Sequence, residues 1–336
     1  MTNMMLRELT SSDMEWMHSV GQRQVIAAGV EVLPADQVAD TMYLILEGSL
    51  ALVIPDTERE ISLLSPGDLI GTSFLLNAYT MPFTVRAKEK TLVLAIAKSQ
   101  IFDHLEQELD FSARFYRALA LLFHQRQKAI ADALPRAFVA QSMFGKGILL
   151  VFSCLNDSDI CWISNRGRVE KLTRGQFCLR EGMPLEAVYI MLRGSLSIFV
   201  SEGEGQKAVT SGAVAAPPIK QVAQVLPGEI LGMTQFLGFG PNPYSMQASE
   251  DSVVLTIPLP LLIRKLQQDI SFASRFYRAL AGLTMERTYQ ILIQLRYEQR
   301  ADDLNEDGEL DLGLLEQMSV ARAKFNWLLQ YLNVKV

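Results

Sequence analysis

Tyr43-Leu44-Ile45-Leu46-Glu47-Gly48-Ser49-Leu50 returns later in the chain as Tyr189-Ile190-Met191-Leu192-Arg193-Gly194-Ser195-Leu196. A second stretch, Phe111-Ser112-Ala113-Arg114-Phe115-Tyr116-Arg117-Ala118-Leu119-Ala120, returns as Phe272-Ala273-Ser274-Arg275-Phe276-Tyr277-Arg278-Ala279-Leu280-Ala281. Self-similarity at a fixed spacing is the mark of a duplicated structural unit. Asp13 and Asp159, Trp16 and Trp162, and Tyr43 and Tyr189 are each 146 positions apart. From Pro66/Pro227 and Gly67/Gly228 onward the spacing is 161. The second copy thus holds a net fifteen extra residues (161 − 146), within Ser201 to Gln221, where Gly, Pro, Ser and Ala crowd together. Lengthening a surface loop costs little closure entropy, so matched halves tolerate it.

A length of 336 residues fits two domains, and 49% hydrophobic with 20% charged residues fits a globular protein with two ordinary cores. A net charge of −6 argues against nucleic acid or an anionic membrane as partner. Cys154, Cys161 and Cys178 show no C-x-x-C spacing and are expected as buried, reduced thiols. No signal-like opening is present, and the longest apolar run, Gly147 to Phe152, is far below the roughly 18 residues a membrane helix needs. The expected location is the cytoplasm.

Local pattern divides each copy in the same order. Short helices with Ser/Asp caps are expected around Asp13 to Met17 and Asp159 to Ile163. Strand-like runs follow at Met42 to Val53 and Val188 to Val200, each broken by a glycine (Gly48, Gly194) that suits a hairpin turn. Turns at Ser65-Pro66-Gly67-Asp68 and Leu226-Pro227-Gly228-Glu229 precede further strands at Thr91 to Ala97 and Ser252 to Pro258. The pattern then changes to helical period. Phe111, Phe115, Ala118, Leu119 and Leu122 share one face, as do Phe272, Phe276, Ala279, Leu280 and Leu283. Arg114, Arg117, Gln125 and Arg126 are assigned to the opposite face, and Asp110 to the N-cap. The repeated arginines Arg114, Arg117, Arg275 and Arg278 are expected either to form a solvated face or to pair with nearby acids such as Asp110 and Glu108. Pro135 marks a helix end. The expected division is 1–134 and 153–299 for two domains, 135–152 for a linker, and 300–336 for an acidic turn and a last helix.

A Tyr-x-x-x-x-Gly strand pair, a Pro-Gly-Asp/Glu-x-x-Gly turn and paired terminal helices together resemble the cyclic-nucleotide-binding domain, the jelly-roll module of catabolite-activator-type regulators. The resemblance covers roughly residues 5–130 and 150–295. It implies a mainly β chain with helices: two eight-stranded jelly rolls, each followed by long helices. It also implies a phosphate cassette in each copy, at Gly71 to Ala87 and Gly232 to Ala248. There, backbone N–H groups of a short helix cradle a cyclic phosphate.

The family's ribose-binding glutamate falls on Thr72 and Met233, and its phosphate-binding arginine on Met81 and Asn242. A phosphate without its guanidinium loses a charge-assisted contact of ~1.5–3 kcal/mol, roughly tenfold to a hundredfold in affinity. Binding of cAMP or cGMP in the usual way is therefore not expected. Pro82-Phe83-Thr84-Val85 answers Pro243-Tyr244-Ser245-Met246. The expected reading is an aromatic plug in each roll, with Phe83 or Tyr244 stacking on a neutral ligand as the alternative. Candidate pocket residues are Gly71, Thr72, Ser73, Met81, Phe83 and Thr84 in the first copy. In the second they are Gly232, Met233, Thr234, Asn242, Tyr244 and Ser245.

His18, His104 and His124 all fall in expected helices, which leaves no histidine set inside a barrel to hold a metal. No serine elbow, P-loop or dinucleotide motif is present. No catalysis, metal or cofactor is expected. Asp303 to Asp311 follows the first nine positions of a calcium loop, but its twelfth position is Leu314, so an acidic turn is expected. After Arg300 the chain carries seven acids against three bases, the wrong sign for a DNA-reading helix. The function expected is therefore a non-catalytic regulatory or scaffolding protein acting through protein contacts or self-association, with a small-molecule or nucleotide sensor as the alternative and a DNA-binding regulator behind both. Phe115, Tyr116, Leu119, Phe276, Tyr277 and Leu280 are the interface candidates, because two copies of one helix in a chain can pair as an internal pseudo-dimer.

Overall fold

The computed structural model describes residues 7–55, 57–76, 80–142, 147–201, 219–238, 240–299 and 312–334. Most of the insertion (202–218) and the acidic string from Asp303 to Asp311 lie outside the described residues.

Repeat one opens with helix α1 (Ser11–Val20). The Thr10 hydroxyl accepts the Asp13 N–H at 3.2 Å and the Asp13 carboxylate accepts the Thr10 N–H at 2.8 Å, a reciprocal capping box. Eight strands follow: β1 (Gln22–Ile26), β2 (Glu31–Leu33), β3 (Thr41–Glu47), β4 (Leu50–Ile54), β5 (Arg59–Leu64), β6 (Leu69–Ile70), β7 (Thr84–Ala87) and β8 (Thr91–Ala97). They form two antiparallel sheets, β1-β8-β3-β6 and β2-β7-β4-β5. Gly48 joins β3 to β4 at φ 85°, where a Cβ would collide with the Lys90 carbonyl. Helices α2 (Lys98–Gln107) and α3 (Leu109–Asp132) complete the repeat. Glu108 holds the N-cap of α3, and Asp110, expected at the cap, lies in the first turn two residues further on.

Two short helices, α4 (Arg136–Ser142) and α5 (Gly147–Cys154), connect the repeats; α4 starts directly after Pro135, where the fixed φ suits a first turn. Repeat two then restates the plan. Helix α6 (Asp157–Arg166) is capped by Asn156 and Asp159 with both bonds at 2.9 Å. Strands β9 (Arg168–Leu172), β10 (Phe177–Leu179), β11 (Ala187–Arg193), β12 (Leu196–Ser201), β13 (Ile219–Val225) and β14 (Ile230–Leu231) precede helix α7 (Met233–Gly238). Strands β15 (Ser245–Ala248) and β16 (Ser252–Pro258), then helices α8 (Leu259–Gln268), α9 (Ile270–Gln299) and α10 (Leu312–Tyr331), finish the chain. The sheets are β9-β16-β11-β14 and β10-β15-β12-β13, the order of repeat one carried over strand for strand. The fold is two β-sandwich rolls, each followed by helices.

Each roll holds its own core. Ile45, Leu50, Leu52, Leu64, Ile70 and Val85 fill the first; Met191, Leu196, Ile198, Val225, Met246 and Val254 fill the second. A larger cluster joins the helices of both repeats. At its centre α3 and α9 pack along each other, with the Ser112 and Ser274 hydroxyls 2.7 Å apart and buried. Each fully buried Phe or Leu there contributes roughly 1.5–3 kcal/mol.

The thiols differ from expectation. Cys161 is exposed, because it stands on the outer face of α6, and Cys154 and Cys178 are only partly buried. Burial, with Glu170 beside it, pushes the Cys178 thiol up to about 12. No helix among the described residues is long and apolar enough to cross a membrane.

Candidate functional site

Both cassettes begin at a left-handed glycine, Gly71 at φ 73° and Gly232 at φ 86°, where the chain turns from the end of β6 or β14. A Cβ on Gly71 would run into the Thr41 carbonyl, so only glycine lets the backbone pass this close to β3. A 3-10 turn (Ser73–Leu76) follows in the first copy and helix α7 in the second. The far end of each cassette is tied to the turn after β2 or β10 by one shared pattern. The Ala35 N–H donates to the Thr84 hydroxyl at 3.2 Å and the Asp36 N–H to the Met81 carbonyl at 2.8 Å. The Glu181 N–H donates to the Ser245 hydroxyl at 3.0 Å and the Gly182 N–H to the Asn242 carbonyl at 2.9 Å. The Thr84 and Ser245 hydroxyls thus accept backbone bonds that hold the cassette shut.

The two residues at the family's arginine position turn inward. Met81 lines a cavity in the first roll and packs on the helical core. Asn242 is 3% exposed, donates to the Met183 carbonyl at 3.2 Å, and leaves its Oδ1 buried without a hydrogen bond. Thr72, Ser73 and Met233 are buried as well, at 4%, 6% and 1% exposure. The Thr234 side chain lies outside the described residues. Phe83 lines the first cavity and also packs against a small cluster formed by Ile130, Val139, Ile291, Leu292 and Leu295. Tyr244, 6% exposed, lies in the core of the second roll, where burial pushes its hydroxyl up to about 12. The cavity of the first roll measures about 60 Å³.

Helices of the opposite repeat close both rolls. Arg136, on α4 after the long helix of repeat one, reaches roll two. It pairs with Glu181 at 2.8 Å, donates to the Pro243 carbonyl, and stands 6.0 Å from the Tyr244 ring centroid. Ala140 of α4 is fully buried in the second roll's core. Arg296, near the end of α9, reaches back to roll one and pairs with Asp36 at 2.9 Å, while Met285 of α9 lines the first cavity. Each latch joins a helix to the turn just after β2 or β10.

The interface candidates meet across the α3–α9 seam. Phe115, Leu119 and Leu280 are fully buried; Tyr116 and Phe276 are at 4% and Tyr277 is half-buried. The Arg117 guanidinium stands 5.8 Å over the Tyr277 ring and Arg278 stands 5.9 Å over Tyr116, one contact on each side of the pseudo-two-fold.

Arginine placement corrects the sequence reading. Arg114 forms a two-pronged pair with Asp13, both bonds 2.8 Å, and Arg275 the same pair with Asp159 at 2.6 and 2.9 Å. The partners are capping carboxylates far away in sequence, brought in because α1 and α6 pack beside α3 and α9. Asp13 is buried, which alone would raise its pKa. Hydrogen bonds from Arg114 and Thr10 outweigh that and hold the carboxyl below the usual range. Arg126, expected on the face opposite the apolar stripe, is instead largely buried, at 12% side-chain exposure; it lines the first cavity and donates to the Leu69 carbonyl at 3.2 Å. Arg287 repeats it, donating to the Ile230 carbonyl at 3.2 Å. The signal for both was present: the pair keeps the 161 spacing, and Arg126 stands 4, 7 and 11 residues after Leu122, Leu119 and Phe115, on the apolar stripe.

A pair of such rolls, with glycine-led cassettes between sheets and long helices behind, defines the cyclic-nucleotide-binding class of regulatory module. The chain belongs to the cyclic nucleotide-binding domain family, whose model matches residues 23–108 and 169–269. No curated protein matches it. Among solved structures it is similar to the cAMP-bound regulatory domain of Toxoplasma gondii PKA, at 16% identity over 80% of this chain and 88% of that one, with a TM-score of 0.29. It is also similar to the guanosine-bound regulatory subunit of a cAMP-independent protein kinase A from Trypanosoma cruzi, at 14% identity over 80% and 81%, TM-score 0.29. A cyclic nucleotide-binding-like protein from Brucella abortus bv. 1 str. 9-941 is 27% identical over 31% of this chain and 90% of that one, with a TM-score of 0.27. At these scores the likeness assigns neither ligand nor partner.

Proposed function

We propose that this protein is a non-catalytic regulatory or scaffolding module whose two rolls have lost their grip on cyclic nucleotides, and that it acts in the cytoplasm through protein contacts made by its helical segments. The observation that carries the reading is the first cavity. At about 60 Å³ it is far below the ~300 Å³ at which ligand pockets for molecules of nucleotide size begin. Met81, at the position where the family holds a phosphate arginine, leaves a phosphate without a cation from the cassette, a loss of ~1.5–3 kcal/mol. Phe83 and Tyr244 are plugs in this reading. The cross-repeat latches Arg136–Glu181 and Arg296–Asp36 close the rolls from outside.

The test restores the family's side chains. In the double variant Thr72→Glu, Met81→Arg, cAMP and cGMP are titrated by calorimetry against the native chain. Neither protein should give saturable heat, because the side chains return while Phe83 and α9 still fill the space. Micromolar binding by the native chain would end the proposal. A gain in the double variant would show that the cavity is open and that only the anchors are missing.

A further inference from the structure

Among the described residues lining the roll-one cavity, Arg126 alone is charged. Its side chain is 12% exposed, its hydrogen bond goes to the Leu69 carbonyl at 3.2 Å, and Asp68 Oδ1 stands 4.0 Å away, beyond hydrogen-bond reach. A guanidinium carries five N–H donors, and the hydrogen bond to Leu69 uses one of them, so this side chain can still donate to a ligand in the cavity it lines. Burial presses its pKa down and Asp68 only partly opposes that. A cation held in this way costs free energy unless an anion meets it. Thr72 and Ser73, hydroxyl residues buried at 4% and 6%, line the same cavity. The other wall is apolar: Leu52, Met81, Phe83 and Val85.

We propose that this cavity is a binding site for a short-chain carboxylate, held by Arg126 from the long helix in place of the cassette arginine that the chain lacks. This rests on the closed-roll reading above, since it is the smallness of the space that selects the ligand. At ~10–15 Å³ per water-sized atom, about 60 Å³ holds roughly four or five heavy atoms, the size of acetate or propionate. The carboxylate takes the open guanidinium donors and a hydroxyl of Thr72 or Ser73, and the alkyl end lies against Met81 and Phe83. Inorganic phosphate has the same atom count but brings close to two charges, against one cation and a hydrocarbon wall; its extra desolvation has no compensation here. Met285 of α9 shares the cavity wall, so occupancy is felt by the opposite repeat.

The experiment is calorimetry and thermal unfolding of the full chain with sodium propionate, sodium acetate and inorganic phosphate, against sodium chloride at equal ionic strength. A ligand of five heavy atoms binds in the millimolar range in practice, so titration runs to roughly 20 mM. Propionate should bind one site per chain and raise the melting temperature. Arg126→Gln should weaken it by about tenfold or more, whereas Arg287→Gln, which removes the matching helix-to-strand bond in roll two, should leave it unchanged. The double variant Thr72→Val, Ser73→Ala keeps side-chain volume and should weaken binding about fivefold, giving a second reading should Arg126→Gln fail to fold. No saturable heat with propionate, equal binding in Arg126→Gln, or preference for phosphate would overturn the proposal. Saturable cAMP binding, measured separately, would sink the closed-roll reading instead.

Discussion

Replacing Asp13 by alanine tests how repeat one holds its helices to its roll. The carboxylate has two duties: it accepts the Thr10 N–H at 2.8 Å as half of a capping box, and it takes both prongs of Arg114 at 2.8 Å. Loss of a cap costs ~1 kcal/mol. Removing one partner of a fully buried ion pair costs ~3–5 kcal/mol, but Arg114 is 33% exposed and water can re-solvate it, so about 2 kcal/mol is the better figure. The expected total is ~3 kcal/mol, or roughly 6–12 °C in Tm for a domain of this size. Asp13→Asn, which keeps an acceptor for Thr10 and loses only the charge, should cost about half as much. Urea unfolding followed by Trp16, which stacks on His104 at 3.7 Å in the same repeat, reads the local transition. Arg114→Met and the double variant complete a cycle, whose coupling should exceed ~1 kcal/mol. A loss below ~1 kcal/mol for Asp13→Ala, or additive single variants, would refute the account.

Two further outcomes are expected. Burial lowers the His104 pKa, with Glu108 and Asp13 partly opposing it, so the neutral ring is favoured in the folded state. A depressed folded pKa gives stability that is complete above the unfolded value near 6.5 and is lost as pH falls through the folded value. Acidification below pH ~6 should therefore destabilise repeat one and change Trp16 emission, and His104→Gln should flatten both responses. Arg136→Ala and Arg296→Ala should each cost no more than ~1 kcal/mol, because Glu181 and Asp36 are partly or largely exposed, yet limited proteolysis should cut faster near the released helix end. Unchanged cleavage in both variants would remove the latches from the description.

Strands β8 and β16 were legible to the residue, Thr91–Ala97 and Ser252–Pro258, because β-branched runs between turn residues leave little choice. The cassette glycines Gly71 and Gly232 were legible for another reason: they recur at the 161 spacing, at positions whose backbone angles disfavour other residues. Arg126 was not. Its residue type points to solvent while its spacing points to the core, and the spacing was right: the charge is buried because β6 offers a carbonyl at 3.2 Å. The partners of Arg114 and Arg275 were hidden for another reason. Asp13 lies 101 residues from Arg114 and Asp159 lies 116 from Arg275, and no local pattern encodes a contact that depends on how α1 and α6 dock. The closing of each roll by the other repeat's helix is invisible in the same way, because it is a property of two units placed face to face.

The α3–α9 seam, with its paired serines and crossed arginine–tyrosine contacts, joins two halves that a single peptide already holds together. A tether replaces an encounter, so the association does not weaken on dilution and the paired state is the same in a scarce and an abundant protein. Freed from having to match an identical twin, each side of the seam can also change alone, and the copies already differ where Leu121 of one helix is answered by Gly282 of the other.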